Sequence, residues 1–231
     1  MKLTILRMTQ SVKRLLFRSG LRPSVKLELA SALLELGQWL REHPSPRHFP
    51  GRYDLYRYVH GLLGGRPFDF LEFGVFQGES IRFWARLDRH PETMLFGFDT
   101  FTGFPEEWRT GLKKFPKGYF DVGGALPELG DARVRFFKGT FQETLPGFLR
   151  KYNPQAQVVV HCDADIYNST LYALTRLADV LNPGTVLLFG DFSAANHDFR
   201  AFVSFVGAYD RAYEVLGTAE ASFDHIAIRL L

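Results

Sequence analysis

At 231 residues, with 46% hydrophobic and 23% charged residues, the chain has a globular composition and room for one sizeable domain plus an extension. Its lone cysteine, Cys162, excludes an internal disulfide framework and fits a reducing, cytoplasmic setting; no apolar run approaches the roughly 18–20 residues that span a bilayer. The net charge is +3, yet residues 1–27 hold seven bases (Lys2, Arg7, Lys13, Arg14, Arg18, Arg22 and Lys26) and no acid, which leaves the rest of the chain at −4.

That leading segment lacks a long apolar core followed by a small-residue cleavage site, so no secretory leader is expected. Two readings stand for it: a solvated, partly helical extension or subunit-packing arm, or a weak contact with an anionic membrane surface or an acidic partner. It does not interleave bases with aromatics, so no nucleic-acid partner is expected. Leu29, Leu33, Leu36 and Leu40 recur at helical spacing between Ser24 and Arg41, and His43-Pro44-Ser45-Pro46 breaks the helix. Another helix is expected from about Tyr53 to Leu63, stopped by Gly64-Gly65. These features suggest a basic helical extension over residues 1–50 and a main domain over 51–231. Amphipathic N-terminal helices of this kind often pack between subunits, which points to a homo-oligomer.

From Pro67 onward, apolar strand-like runs at 68–73, 94–98, 134–137, 158–162 and 185–189 are separated by helical patterns at 80–87, about 141–152 and 169–181. A last helix is expected over about 196–209, and short strands near 213–216 and 225–230 close the chain. Continuous apolar strands joined by helices indicate an α/β fold with a doubly wound, mostly parallel seven-stranded sheet covered on both faces. Ligands bind such sheets beyond the carboxyl ends of the strands.

The first strand runs into Glu72-Phe73-Gly74-Val75-Phe76-Gln77-Gly78-Glu79-Ser80. Gly74 and Gly78 permit a tight turn beside a ligand. The middle glycine of a pyrophosphate fingerprint is missing, and Phe76 makes the loop less open to a pyrophosphate. The Glu72 carboxylate suits an ammonium-bearing ligand, such as the methionine end of S-adenosylmethionine. Asp99 ends the second strand 21 residues beyond Gly78, where an acid can accept both ribose hydroxyls of a nucleoside. Thr100 opens a long Gly-, Pro- and Lys-rich loop of the kind that forms lids. Its Phe101, Phe104 and Trp108 are candidates to wall an acceptor pocket, and Lys113, Lys114 and Lys117 to meet an anionic substrate; a solvated basic loop with anchoring aromatics is the alternative. Gly139 and Thr140, after the third strand, either edge an adenine or cap the next helix.

The fourth strand ends in His161-Cys162-Asp163-Ala164-Asp165-Ile166-Tyr167-Asn168-Ser169-Thr170. Carboxylates two residues apart repel one another and call for a metal, a proton or a cationic ligand. One can hold a divalent ion while the other takes a proton from a hydroxyl; capping of the following helix is the plainer reading. His161 is expected to be a satisfied core histidine. Asp191, after the fifth strand, can complete an acidic site with Asp163, and His197 is either a base or a helix-start histidine.

In Leu71–Ser80, Phe98–Glu106 and Asp163–Thr170, which run in order between Phe70 and the chain end, the sequence resembles the macrocin O-methyltransferase family. The resemblance implies a class I methyltransferase, Rossmann-like fold, S-adenosylmethionine as donor, a small-molecule acceptor, and often magnesium. It places a metal at Asp163 and Asp191 and a base at Asp165. Gly190 stands where that family carries another acid, so an ion here loses a ligand and a negative charge, which argues against a metal requirement. Two other readings are a degenerate fold that binds a ligand or partner and a nicotinamide-dependent oxidoreductase.

Overall fold

A computed structural model describes residues 25–110 and 113–231, and the basic residues 1–24 lie outside it. Helix α1 (Val25–Glu42) and α2 (Arg52–Leu62) flank a two-residue strand, β1 (His48–Phe49). There follow β2 (Phe68–Phe73), α3 (Glu79–Leu87), β3 (Met94–Asp99), β4 (Trp108–Thr110), β5 (Lys113–Phe115), β6 (Val134–Lys138), α4 (Phe141–Leu149) and β7 (Gln157–Cys162). The chain continues with α5 (Tyr167–Leu177), β8 (Val186–Phe189), a π-helical turn (Ala195–Phe199), α6 (Arg200–Ala208), β9 (Tyr213–Ala219) and β10 (His225–Leu230).

The main sheet has the order β1-β9-β10-β8-β7-β2-β3-β6. Strands β6, β3, β2, β7 and β8 are parallel, and β10 runs antiparallel to both β8 and β9. The seven expected strands are all present, and β1 adds an eighth at the edge by pairing with β9 through His48–Thr218 and Phe49–Ala219. Side chains alternate across the sheet. Leu71 and Phe73 face α4, α5 and α6, whereas Phe68 and Phe70 face α2 and α3. Helix α1 joins the first of these cores through Ala32, Leu36 and Trp39; Trp39 packs against Phe192, Phe199 and Phe202 and donates to the Tyr213 hydroxyl at 2.9 Å.

Two local features differ from expectation. The loop after Asp99 contains the β4–β5 hairpin, whose three-residue strands are too short and too lysine-rich to register as alternation. The helix expected from Asn196 begins as a π turn, which fixes the directions of His197 and Asp198. No described helix is long and apolar enough to cross a membrane.

Candidate active site

Parallel strands leave their chain reversals at one edge, and here the segments after β2, β3, β6 and β7 enclose a cleft of about 310 Å³. Gly74 adopts φ +94°, and a Cβ there would stand 2.0 Å from the Asp163 carbonyl oxygen, so only glycine lets the ends of β2 and β7 come this close. Val75, Phe76 and Ser80 line the cleft, Phe76 at φ +49°, and Gly78 is the left-handed N-cap of α3. Asp99 also lines it, and its carboxylate accepts the amides of Val75 (2.7 Å), Phe76 (2.9 Å) and Phe101 (2.7 Å). One aspartate therefore fixes both the glycine loop and the start of the lid. Thr100 and Thr140 are on the wall. Thr140 also caps α4, where Glu143 accepts from its amide and hydroxyl at 2.8 and 2.9 Å, and the Gly139 amide donates to the Asp99 carbonyl at 2.9 Å.

Asp163 and Asp165 open onto the same space. Asp165 has φ +61°, a conformation costly for a side-chain-bearing residue and typical of sites held by their surroundings. Burial, and then the neighbouring Asp163, Asp191 and Asp198 carboxylates, raise its proton affinity well above an ordinary carboxylate's. Burial raises Asp163 as well. Behind them lies fully buried Asp198, a residue the sequence reading passed over. Thr170 Oγ1 donates to it at 2.7 Å, and burial pushes its pKa up to about 8.

Five expected site residues are not on the cleft wall: Gly78 and Gly139, which shape the turns described above, and Glu72, His197 and Asp191. Glu72 is buried beneath it, in a chain running from Tyr56 Oη to His161 Nε2 (3.0 Å) and from His161 Nδ1 to Glu72 Oε1 (2.9 Å). Its position on β2 turns it toward β7 and the α2 side of the sheet, away from the mouth. Burial raises the proton affinity of Glu72 and lowers that of His161, favouring the neutral form of each; His161 is the satisfied core histidine expected from its strand. His197 has both ring nitrogens engaged. Nδ1 accepts the Tyr167 amide at 3.3 Å and Nε2 donates to the Arg109 carbonyl at 2.6 Å, so the ring ties the β4 edge to α5. Asp191 lies behind the wall with a pKa raised to about 6 by burial and then by Asp224.

Of the lid aromatics, Phe104 faces the cleft together with Pro105 and Phe120. Phe101 is buried in the sheet core, and Trp108 packs with Phe104 and Ile166. Lys114 pairs with Glu107 at 2.5 Å, and none of the three lysines lines the cleft. Sequence reasoning missed Arg52, which reaches the cleft from the first turn of α2. Nothing in an N-terminal helical pattern signals proximity to strand ends more than twenty residues later.

The model of the methyltransferase domain family matches residues 71–192, more than half of the chain. The chain belongs to the methyltransferase domain family. An 8-demethyl-8-(2,3-dimethoxy-alpha-L-rhamnosyl)-tetracenomycin-C 4'-O-methyltransferase from Streptomyces olivaceus is 32% identical over 184 residues, which cover 68% of this chain and 66% of that protein. The calicheamicin methyltransferase CalS11 superposes with a TM-score of 0.59 at 21% identity, over 92% of this chain and 95% of its own. The O-methyltransferase NovP superposes at 0.56 and 19% identity, over 88% and 98%. These structures share the methyltransferase fold.

The donor set of this methyltransferase-fold site does not fit a hard divalent cation. Asp163 lies directly over Gly190: a Cβ at position 190 would stand 1.9 Å from Asp163 Oδ1, so the space for a further acidic side chain is already filled. Among the described residues no group of three or more His, Cys, Asp and Glu side chains is arranged to hold a metal. Magnesium favours octahedral oxygen coordination, and the expected pair supplies little of it, since Asp163 lines the cleft and Asp191 does not.

Proposed function

We propose that the chain is an S-adenosylmethionine-dependent O-methyltransferase acting on a hydroxyl of a small molecule, a sugar or natural-product-like acceptor. One observation carries the reading: the glycine loop, Asp99 and the Asp163–Asp165 pair meet in a single cleft within a methyltransferase domain. The Streptomyces relative, named for methylation of a rhamnosyl group, supports the sugar-like acceptor. When bound, the donor supplies an electrophilic methyl on a positively charged sulfur, and the acidic wall of Asp99, Asp163 and Asp165 complements that charge. The Gly74–Phe76 turn and Asp99 would hold the nucleoside when it is bound, on the cleft wall that Thr140 and Gln142 also line. Phe104, Pro105 and Phe120 close the acceptor side against water. Asp165 takes the proton of the acceptor hydroxyl, making a poor nucleophile a better one. Burial and the neighbouring carboxylates raise its proton affinity, which favours acceptance of that proton.

No step is routed through a metal. Leu33 and Leu34, turned outward on α1 at 48% and 75% exposure, support a homo-oligomer built through that helix. The test is calorimetric titration with S-adenosylhomocysteine, followed by a labelled-donor screen of glycoside acceptors. Label on an acceptor oxygen is the expected result. Binding without transfer would indicate a ligand-binding protein on a methyltransferase fold, and NADH binding in place of the homocysteine ligand would revive the oxidoreductase reading.

A further inference from the structure

Among the described residues, the charged side chains lining the cleft are Glu79, Asp99, Asp163 and Asp165, opposed by a single base, Arg52. Such a wall suits a cationic sulfur and an ammonium, but a zwitterionic amino-acid tail also brings a carboxylate. Among the described residues, Arg52 is the one side chain on the wall with a charge to match it. A guanidinium carries five N–H donors on three nitrogens. Only Nη2 is engaged here, donating to Glu79 Oε2 at 2.8 Å and to the Tyr53 hydroxyl at 3.0 Å. Its Nε and Nη1 make no hydrogen bond with the described residues. The Tyr53 ring stacks 4.9 Å from the guanidinium carbon and holds its plane. Arg52 also lies within electrostatic reach of Asp163, on the opposite strand mouth, and of buried Glu72. Glu79 is 61% exposed and free to turn to solvent, so its bond with Arg52 shows a carboxylate already sitting where an incoming one would dock.

We propose that Arg52 binds the α-carboxylate of the donor's amino-acid tail, displacing Glu79 from the guanidinium. This rests on the methyl-donor reading above and supplies the tail contact that buried Glu72 cannot make. It also gives α2 a role in the site, because Arg52 is fixed to the cleft by the packing of Tyr56 and Val59 beneath it.

Two ligands isolate the tail: S-adenosylhomocysteine, and 5′-methylthioadenosine, which keeps the adenosine and the thioether but lacks the amino acid. Calorimetry on the full chain should show Arg52→Met weakening S-adenosylhomocysteine by about tenfold to a hundredfold, the usual range for a charge-assisted hydrogen bond. Binding of 5′-methylthioadenosine should stay within about twofold. Arg52→Lys, which keeps the charge and the fold, should give a smaller loss in the same direction and again spare 5′-methylthioadenosine. Glu79→Gln should leave S-adenosylhomocysteine equal or tighter, since a competitor for the guanidinium is gone. Equal weakening of both ligands, no weakening of either, or a loss in Glu79→Gln matching that of Arg52→Met would overturn the assignment and leave Arg52 as a tether between α2 and α3. A wild-type chain that binds 5′-methylthioadenosine as tightly as S-adenosylhomocysteine also overturns it. A wild-type chain that binds neither defeats the donor reading itself.

Discussion

Burial and three neighbouring carboxylates raise the proton affinity of Asp165, and its left-handed backbone points it into the cleft beside Asp163. Replacing its carboxylate with an amide preserves shape but removes the proton acceptor. Asp165→Asn is expected to lower kcat by about 10²- to 10⁴-fold, the usual contribution of a positioned base, while calorimetry finds S-adenosylhomocysteine affinity unchanged. Parallel losses in binding and turnover would make Asp165 a structural residue. Gly190 supports a second outcome at this scale. With Asp163 folded over it and, among the described residues, no three His, Cys, Asp or Glu side chains arranged to hold an ion, turnover should be the same in EDTA and in millimolar magnesium. A rate that falls on chelation and returns with magnesium would show that an ion finds ligands here after all. The sequence exposed this departure, because Gly190 is visible in it. The position of Asp163 over that glycine is not visible, since it depends on how two adjacent strand ends approach each other.

The lid is the element whose geometry is least tolerant of change. Gly103 has φ +78°, and a Cβ there would stand 2.4 Å from the carbonyl oxygens of Gly118 and Tyr119. The lid closes at that point, with the Phe104 amide donating to the Tyr119 carbonyl and the Gly118 amide to the Phe104 carbonyl, each at 2.9 Å. Gly103→Val forces these backbones apart at a cost of about 1–3 kcal/mol. Steady-state kinetics should show kcat/KM for the acceptor falling about tenfold or more, since 1.4 kcal/mol is a factor of ten. An unchanged acceptor kcat/KM would mean that the lid does not shape that pocket. The length and aromatics of this segment leave it, in the sequence, either a lid or a solvated loop with anchoring aromatics. The hairpin within it and the inward burial of Phe101 do not follow from composition, because short polar strands are stabilised by pairing and not by periodicity. The same reason hides β1, two residues that become a strand only because β9 lies beside them.

Across the whole molecule, a parallel sheet that gathers its acidic strand ends at one edge stores several carboxylates out of water. Asp198 shows the consequence: its folded pKa is about 8 against an ordinary 3.8, with Thr170 donating to it and Asp191 and Asp163 repelling its charge. Between those values the folded chain holds a proton that the unfolded chain has released. The stability this group contributes is therefore full below about pH 4 and is lost as pH rises through about 8. Buried His161 and His225, lowered by burial, oppose this at the acid end, so the wild-type profile alone does not isolate the aspartate. Asp198→Asn does: its thermal midpoint, followed by circular dichroism, should gain on wild type progressively from pH 5 to pH 8 and then level off. A midpoint difference independent of pH would refute the buried proton.

Hydrophobic periodicity by itself determined the order of the seven longer strands and the helices between them, and hence the edge at which ligands bind, because the apolar runs of the central strands reflect burial on both faces. The glycine and aspartate spacings placed the glycine-loop and Asp99 wall of the cleft for the same local reason: the motif and the turn that positions it are contiguous in the chain. Only the tertiary structure decided that Glu72 is sealed under the floor, that His197 is occupied by the lid, and that Arg52 reaches the cleft. Those outcomes depend on side chains dozens of residues apart competing for the same space and the same hydrogen bonds, and a linear pattern carries no record of that competition.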